Sequence, residues 1–467
     1  MQCAGGTIMK KIVRVIAALM LLVSLVSLVG CGGTELGDRG SGKVTLKFTH
    51  MWPEHAQIMK QLCQEYSAQN PNVIIQPAYV QYDQMENTLK SALVSGGLPD
   101  VFIFWSNAFS SFAQGGHLAN IDQYVLAEKD NFVNDGFALE DGKLDGHYYA
   151  APFRASGFCV VYNKTIFEKN GWQVPNTLEE LDALCTTITK ETSLTPLAVY
   201  GTSSGTMMMV KSTFDAYVDI ISGLATDPSY INGRQNIEDY PQVKELYAKA
   251  MEKYKRWYDS GYFTKAPTTK DNARKEFTNN NTAMILFNNN NLGDLIKEID
   301  GAFEVGLISF PAPQVVVDSN GAMKNYTSGS FDSLFISKDT KNYEEALKFV
   351  EYLMSDEVQQ RWAKETTSVS LKKAVTYESE EQIRVAEILS QIGSYPQKRD
   401  FTLTSAMSTK NYQMILNYLN GSSAETALEI VSIAQDNAKI CVEDAGLELV
   451  PIEKELDFTE EKYEWLN

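Results

Sequence analysis

Residues 96–107 constrain the fold more than any other part of the chain. Leu89, Ala92, Leu93 and Val94 recur at helical spacing, and Gly96, Gly97 and Pro99 break that helix. Residues 101–104 are then an unbroken apolar run of the kind that forms a buried strand. Upstream, residues 44–49 alternate as a strand, Ile58, Met59, Leu62 and Tyr66 trace a helix face, and Val73-Ile74-Ile75 follows a turn at Asn70-Pro71-Asn72. The order strand, helix, strand, helix, strand calls for crossovers between parallel neighbours, so the expected fold class is α/β, with sheets flanked by helices. Ligands of such sheets collect beyond the carboxyl ends of the strands. Trp52 and Glu54 after the first strand, Tyr82 after the second, and Trp105 and Asn107 after the third are therefore predicted to share one edge.

A chain of 467 residues, 44% apolar, exceeds one ordinary core and can fill two lobes. Its formal charge of −18, with no basic run after residue 14, excludes a nucleic-acid partner of the usual kind, because phosphates need clustered Lys and Arg. Cys63, Cys159, Cys185 and Cys441 lack CxxC spacing and are expected as buried free thiols, with a Cys159–Cys185 disulfide left open. His50 and His55 flank Pro53 without the HExxH order, so neither a metal site nor a cofactor is expected.

Lys10, Lys11 and Arg14 precede an uncharged apolar run over residues 15–30, ending in Leu28-Val29-Gly30-Cys31. The run is shorter than the ~20 apolar residues that span a bilayer. It reads as a lipoprotein signal over residues 1–30, with Cys31 as the acylated first residue of the mature chain and residues 31–42 as a flexible tether. Loss of its three cations lowers the formal charge from −18 to −21. The expected location is the extracytoplasmic face of the cell membrane, held there through lipid only.

Further along, Asp141-Gly142-Lys143 and Gly146 mark turns, Ala151-Pro152-Phe153 runs towards Arg154, and Phe158 opens another apolar strand. Pro175-Asn176-Thr177-Leu178-Glu179-Glu180-Leu181 starts a helix through a Thr-x-x-Glu capping box. The ordered blocks Leu98-Pro99-Asp100-Val101, Asp141-Gly142-Lys143, Tyr162-Asn163-Lys164 and the Pro175 segment resemble bacterial extracellular solute-binding proteins of ABC importers, of the maltodextrin type. So do Asn281-Thr282-Ala283-Met284, Val305-Gly306-Leu307-Ile308 and Tyr343-Glu344-Glu345-Ala346-Leu347.

That resemblance implies a periplasmic-binding-protein-like clamp of two lobes, with no catalytic residues, that closes on a sugar, an oligosaccharide foremost. It also implies a monomer served by ABC permease transmembrane subunits. Hinge crossings are expected near residues 149–154, 286–291 and 334–338. Lobe 1 is then 43–152 with 287–335, and lobe 2 is 153–286 with 336–467.

Sugar sites pair aromatic platforms with side chains that donate and accept hydrogen bonds. Trp52 and Trp105 either stack on ligand or pack under their loops. Arg154 binds a hydroxyl pair or a carboxylate, or forms an interlobe ion pair. The resemblance adds Asn288 and Asn289, whose amides read hydroxyls or simply build a loop, and Ser328, where backbone approaches the cleft. Trp257 and Trp362 fall in helical patterns and are expected in cores, and residues 453–464 as a solvated acidic surface. Two alternatives stand beside the sugar clamp. One is an anchored glycan hydrolase using carboxylates such as Glu54 and Asp100. The other is the same clamp with a polyol phosphate, peptide or polyamine as cargo.

Overall fold

The computed structural model describes residues 43–81, 84–105, 109–133, 139, 142–201, 205–226, 235–265, 268–320, 329–366, 368–390, 405–444 and 448–467. Of the two units into which the chain divides, Met1–Val44 is described only at its last two residues, and Thr45–Asn467 carries the architecture. Ten strands occur among the described residues: β1 (Val44–His50), β2 (Val73–Tyr79), β3 (Val101–Trp105), β4 (Lys143–Leu144), β5 (His147–Tyr148), β6 (Ala151–Asn163), β7 (Thr195–Ala198), β8 (Thr282–Asn288), β9 (Val305–Ile308) and β10 (Gly329–Ile336). Eight of them run in the order β2-β1-β3-β10-β6-β8-β7, with β9 also on β6, while β4 and β5 form a separate hairpin.

The sequence alternation is realised at the β1 end, where β1 and β3 are parallel neighbours with Phe48 opposite Val101. Helices α1 (Ala56–Gln69) and α2 (Met85–Ser95) supply the crossovers, α1 burying Ile58, Met59, Leu62, Cys63 and Tyr66 as its apolar period dictates. Strand β6 then serves two sheets. Residues from Ala151 to Gly157 pair antiparallel with β10, whereas those from Phe158 onward pair with β8 on one side and β9 on the other. The change of partners at Gly157 and Phe158 divides the sheet into two groups of strands.

Helix α3 (Leu178–Glu191) opens the second group as its capping residues foretell: Thr177 Oγ1 accepts from the Glu180 N–H at 3.2 Å, and Glu180 Oε2 accepts from the Asn176 N–H at 2.6 Å. The core of this lobe gathers around α4 (Thr206–Ser222) and α5 (Pro241–Asp259), where Phe214 meets Trp257 edge-on at 5.3 Å and Trp465 at 5.8 Å. The acidic side chains of the C-terminal segment are exposed, but Tyr463 among them and Trp465 and Leu466 just after them are core residues. Cys63, Cys159, Cys185 and Cys441 are buried and unbridged. Among the described residues no helix is long and apolar enough to cross a membrane.

The chain is partitioned differently from the expected lobe boundaries. After β8, residues 289–308 stay beside the second group, because β9 pairs with the distal half of β6, so residues 286–291 make no crossing. After β10 the chain stays with the first group through residues 343–366, and residues 415–466 then join the core of the second, as expected for lobe 2. Helix α6 (Tyr343–Leu353) packs on β1 and α1, with Phe349 5.3 Å from Phe48 and 5.1 Å from Tyr66. Helix α7 (Asp356–Thr366) follows it there, with Trp362 4.9 Å from Phe153 and 5.3 Å from Trp52. The strand changes of group therefore lie within β6 and between β9 and β10. A further helix, α8 (Glu380–Ser390), touches both groups. Gln382 donates to the carbonyls of Ala363 and Ser368 at 3.0 and 3.2 Å, and Arg384 donates to the Leu307 carbonyl of β9 at 3.1 Å.

Trp362 is fully buried among Trp52, Phe153 and His55. Trp362→Ala is expected to lower the unfolding free energy by about 3–5 kcal/mol, the cost of an emptied aromatic core position, as read by urea denaturation.

Candidate functional site

Three residues lie side by side across the first group of strands, near where β6 changes partners. Asp332 on β10 stands opposite Trp105, the last residue of β3, and opposite Arg154 on β6. Directly opposed residues of antiparallel strands share a face, so an aromatic ring, a carboxylate and a guanidinium form one row. A register irregularity follows at Asp332 and Ser333, so that Ser333 faces Pro152 and the regular ladder breaks beside the row.

Trp52 and Glu54 enter from the end of β1. Trp52 is 1% exposed, so the structure uses its indole as packing beneath the loop rather than as an open platform. Its Nε1 donates to Asp332 Oδ2 at 3.0 Å, and its ring carries the Arg154 guanidinium at 4.2 Å. Arg154, itself buried, donates through Nε to the same carboxylate oxygen at 2.7 Å. A buried charge of this kind is tolerable only when paired, and Arg154 and Asp332 pair with each other. Glu54 is the open member of the cluster: its side chain is 35% exposed, with Oε1 3.9 Å from Arg154 Nη1 and 3.8 Å from His55 Nε2.

The second group of strands adds amides and a lysine. Asn288 Oδ1 accepts from the Asn290 N–H at 2.9 Å, capping the short turn after β8. Asn289 is buried and its Oδ1 accepts from the Gly157 N–H at 2.6 Å, tying the turn to the point where β6 changes partners. Lys270 donates to Asn291 Oδ1 at 2.6 Å and lies 5.6 Å from the Phe287 ring. Burial, then neighbouring Arg274, lowers its pKa, while the Glu54 carboxylate opposes that shift. A cavity of about 230 Å³ opens beside Asn289, between the helix Leu292–Ile299 and α8, with Leu292, Ile296 and Val385 as its apolar wall.

Of the residues expected at the site, Trp52, Glu54, Trp105 and Arg154 come together, and Asn289 reaches the same strand from the other group. Tyr82, Asn107, Ser328 and the lipidation residue Cys31 lie outside the described residues. Asp100 is not a partner of Glu54: its carboxylate binds the Lys47 N–H at 2.8 Å and the Thr340 hydroxyl at 2.5 Å, which makes it a tie between β1, the start of β3 and the turn after β10. Asp332 and Lys270 were missed. A lone carboxylate in the apolar run Phe331-Asp332-Ser333-Leu334-Phe335 was the available signal for the first, since a charge in a core strand needs a partner. Lys270, in a helix of polar residues, gave none. Among the described residues no group of three or more His, Cys, Asp or Glu side chains is placed to hold a metal ion.

A two-group α/β sheet joined by a shared strand, with an open carboxylate, an aromatic end-residue and amides at the junction, defines a two-lobe binding protein. Residues 61–383 match the family described as bacterial extracellular solute-binding protein, and the chain belongs to that family. Its members are binding proteins and not enzymes.

The chain is 26% identical over 358 residues to the multiple sugar-binding protein of Streptococcus mutans, covering 74% of this chain and 79% of that one. It is 35% identical over 150 residues to the maltotriose-binding protein of Pyrococcus abyssi, a match spanning 32% of this chain and 31% of that relative. The fold is shared with the solute receptor AcbH, whose stated preference is for β-D-galactopyranose, at a TM-score of 0.68 and 21% identity over 86% of this chain and 98% of that one. The GacH receptor of Streptomyces glaucescens, solved unliganded and with acarbose, gives 0.65 and 19% over 86% and 99%.

Burial holds the His50 pKa down from an ordinary 6.5 to about 4. Burial first, then the Arg154 guanidinium, holds His55 down to about 3. Both imidazoles are neutral in the folded protein near neutrality, whereas the unfolded chain takes up protons below 6.5. Stability is therefore complete above that pH and is lost as the pH falls from 6.5 towards 4 and 3. Each histidine is expected to add about 1.4 kcal/mol per pH unit to the slope in that interval. His55→Gln should flatten the pH dependence of unfolding measured by denaturant titration between pH 7 and 4.

Proposed function

We propose that this chain is the lipid-anchored, extracytoplasmic solute-binding component of an ABC importer, capturing a neutral sugar, an oligosaccharide foremost, between two closing lobes. The observation that carries the reading is the charge-balanced cluster at the junction: the carboxylates of Glu54 and Asp332 match the cations Arg154 and Lys270. A phosphate would call for excess cations and a polyamine for excess carboxylates. A balanced set of donors and acceptors beside Trp105 and the Asn288–Asn291 amides suits hydroxyls and C–H faces. The multiple-sugar and maltotriose relatives support the same class.

Glu54, Trp105 and Asn289 are the proposed direct contacts, and Tyr82, Asn107 and Ser328 remain candidates from the sequence. Trp52 and Arg154 support them from below. Closure selects the lobe arrangement in which ligand touches both groups of strands, and that arrangement is what the permease transmembrane subunits would meet. The chain acts as a monomer. Its first measurement is a thermal-shift screen of the protein from Gly32 onward against maltotriose, raffinose, xylotriose and chitotriose, with glycerol 3-phosphate, spermidine and a tripeptide alongside. A saturable rise with one saccharide, recovered uncleaved, is expected, because binding to the folded state raises the melting temperature by mass action. A rise with only the phosphate, polyamine or peptide overturns the sugar assignment.

The anchor rests on the sequence: a charged start, a short apolar run and Leu28-Val29-Gly30-Cys31. Cys31→Ala is expected to abolish acylation and processing of the precursor. An unaltered membrane-bound, processed form in that variant would exclude lipid attachment at Cys31.

A further inference from the structure

We infer that Asp332 and Arg154 are positioning residues for the Glu54 carboxylate, an inference that rests on the sugar-binding reading above. Arg154 stands between two carboxylates of unlike exposure. Asp332, with 2% of its side chain exposed, takes the Nε edge of the guanidinium at 2.7 Å and the indole N–H of Trp52 at 3.0 Å on one oxygen, Oδ2. The Trp52 ring lies 4.2 Å beneath the guanidinium and fixes its plane.

The other edge of the fork is then aimed at Glu54. Arg154 Nη1 is buried without a hydrogen-bond partner among the described residues and stands 3.9 Å from Glu54 Oε1. That separation is too long for a hydrogen bond and lies at the outer limit of an ion pair, so Arg154 attracts Glu54 without capturing its oxygens. The carboxylate keeps its lone pairs for a ligand hydroxyl while remaining confined to one side of the cluster.

The arrangement depends on Asp332. A guanidinium is permanently charged, so removing the Asp332 charge leaves Arg154 a buried cation whose nearest carboxylate is Glu54. Glu54 would be drawn down into direct contact, and its oxygens would be spent on Arg154 instead of on ligand. Asp332→Asn therefore imitates Glu54→Gln at the ligand, although Asp332 itself touches none.

This coupling is read by a double-mutant cycle. Dissociation constants are measured by isothermal titration for wild type, Glu54→Gln, Asp332→Asn and the double variant, with whichever of maltotriose, raffinose, xylotriose and chitotriose gives the largest thermal shift. Each single change is expected to weaken binding about tenfold, and the double change no more than about twofold beyond Glu54→Gln alone, because both losses pass through one carboxylate. A residue with only a structural role lowers the melting temperature and gives additive losses. Additive losses, or unchanged affinity in either single variant, overturn the inference.

Arg154→Lys keeps the charge and discards the fork, and it replaces Asp332→Asn in the cycle should that variant not fold, with the same non-additivity expected. Wild type that binds none of the saccharides overturns both this inference and the sugar reading. Binding by wild type with an additive cycle overturns this inference alone.

Discussion

A single strand that belongs to two sheets is the constraint on which the rest of the protein depends. The thirteen residues of β6 would span roughly 43 Å at ordinary strand rise, long enough for its halves to work in different neighbourhoods. Up to Gly157 it is a member of the β10 ladder, and from Phe158 it is the centre of a ladder between β8 and β9. Side chains from both groups converge near that change because the backbone there is continuous while its partners are not. The Asn289 amide holds the Gly157 N–H from the far side, so the junction is a defined contact and not merely a gap between ladders. Relative motion of the two groups would be absorbed by few residues at this place, as hinges require.

Burial of charge at the same place needs its own explanation. An arginine and an aspartate buried on two central strands are poor stabilisers compared with apolar residues of equal volume, since their desolvation offsets much of their attraction. They persist here with a full set of geometric partners on one side: the Trp52 indole donates to Asp332, and its ring faces Arg154. Trp52 is thereby committed to the interior. Its neighbours Trp362, Phe153 and His55 close the remaining faces, and the same enclosure keeps His55 neutral. The aromatic surface left at the strand ends belongs to Trp105, which is only partly buried.

Local features were legible in the sequence, and long-range pairings were not. The buried run at 101–104, the Thr177 cap and the core positions of Trp257 and Trp362 follow from spacing and neighbouring residue types, and they stand where those imply. The family blocks carried the two-lobe architecture. The Arg154–Asp332 pair joins residues 178 apart and the Trp52–Asp332 bond residues 280 apart, and no periodicity encodes which strand of a sheet lies beside which. Where residues 343–366 depart from the expected lobe boundaries the reason is the same: helices such as Tyr343–Leu353 have an apolar face that fits either group, and only the Phe349 contacts with Phe48 and Tyr66 decide between them. The charges of the acidic C-terminal segment are exposed as its composition implies, while the apolar residues among them, Leu456 and Tyr463, reach the core.

The placement of polar groups bears on how a clamp can be selective without being charged. A ligand shifts the balance between open and closed arrangements only through contacts that differ between them, so groups from both sides must meet it. Of the proposed contacts, Glu54 and Trp105 come from the β1 and β3 ends and Asn289 from the other group, to which Asn291 and Lys270 also belong. Each of the charged members already has a counter-charge near it, which removes the penalty of enclosing an unpaired ion when water is expelled on closure. A neutral ligand with many hydroxyls can then replace water at Glu54 and at the amides, donor for donor and acceptor for acceptor. A charged ligand would disturb a balance already struck between Arg154, Asp332, Glu54 and Lys270, and its own desolvation would oppose the closed state. Charge pairing at the junction therefore favours the class of ligand that carries no charge at all.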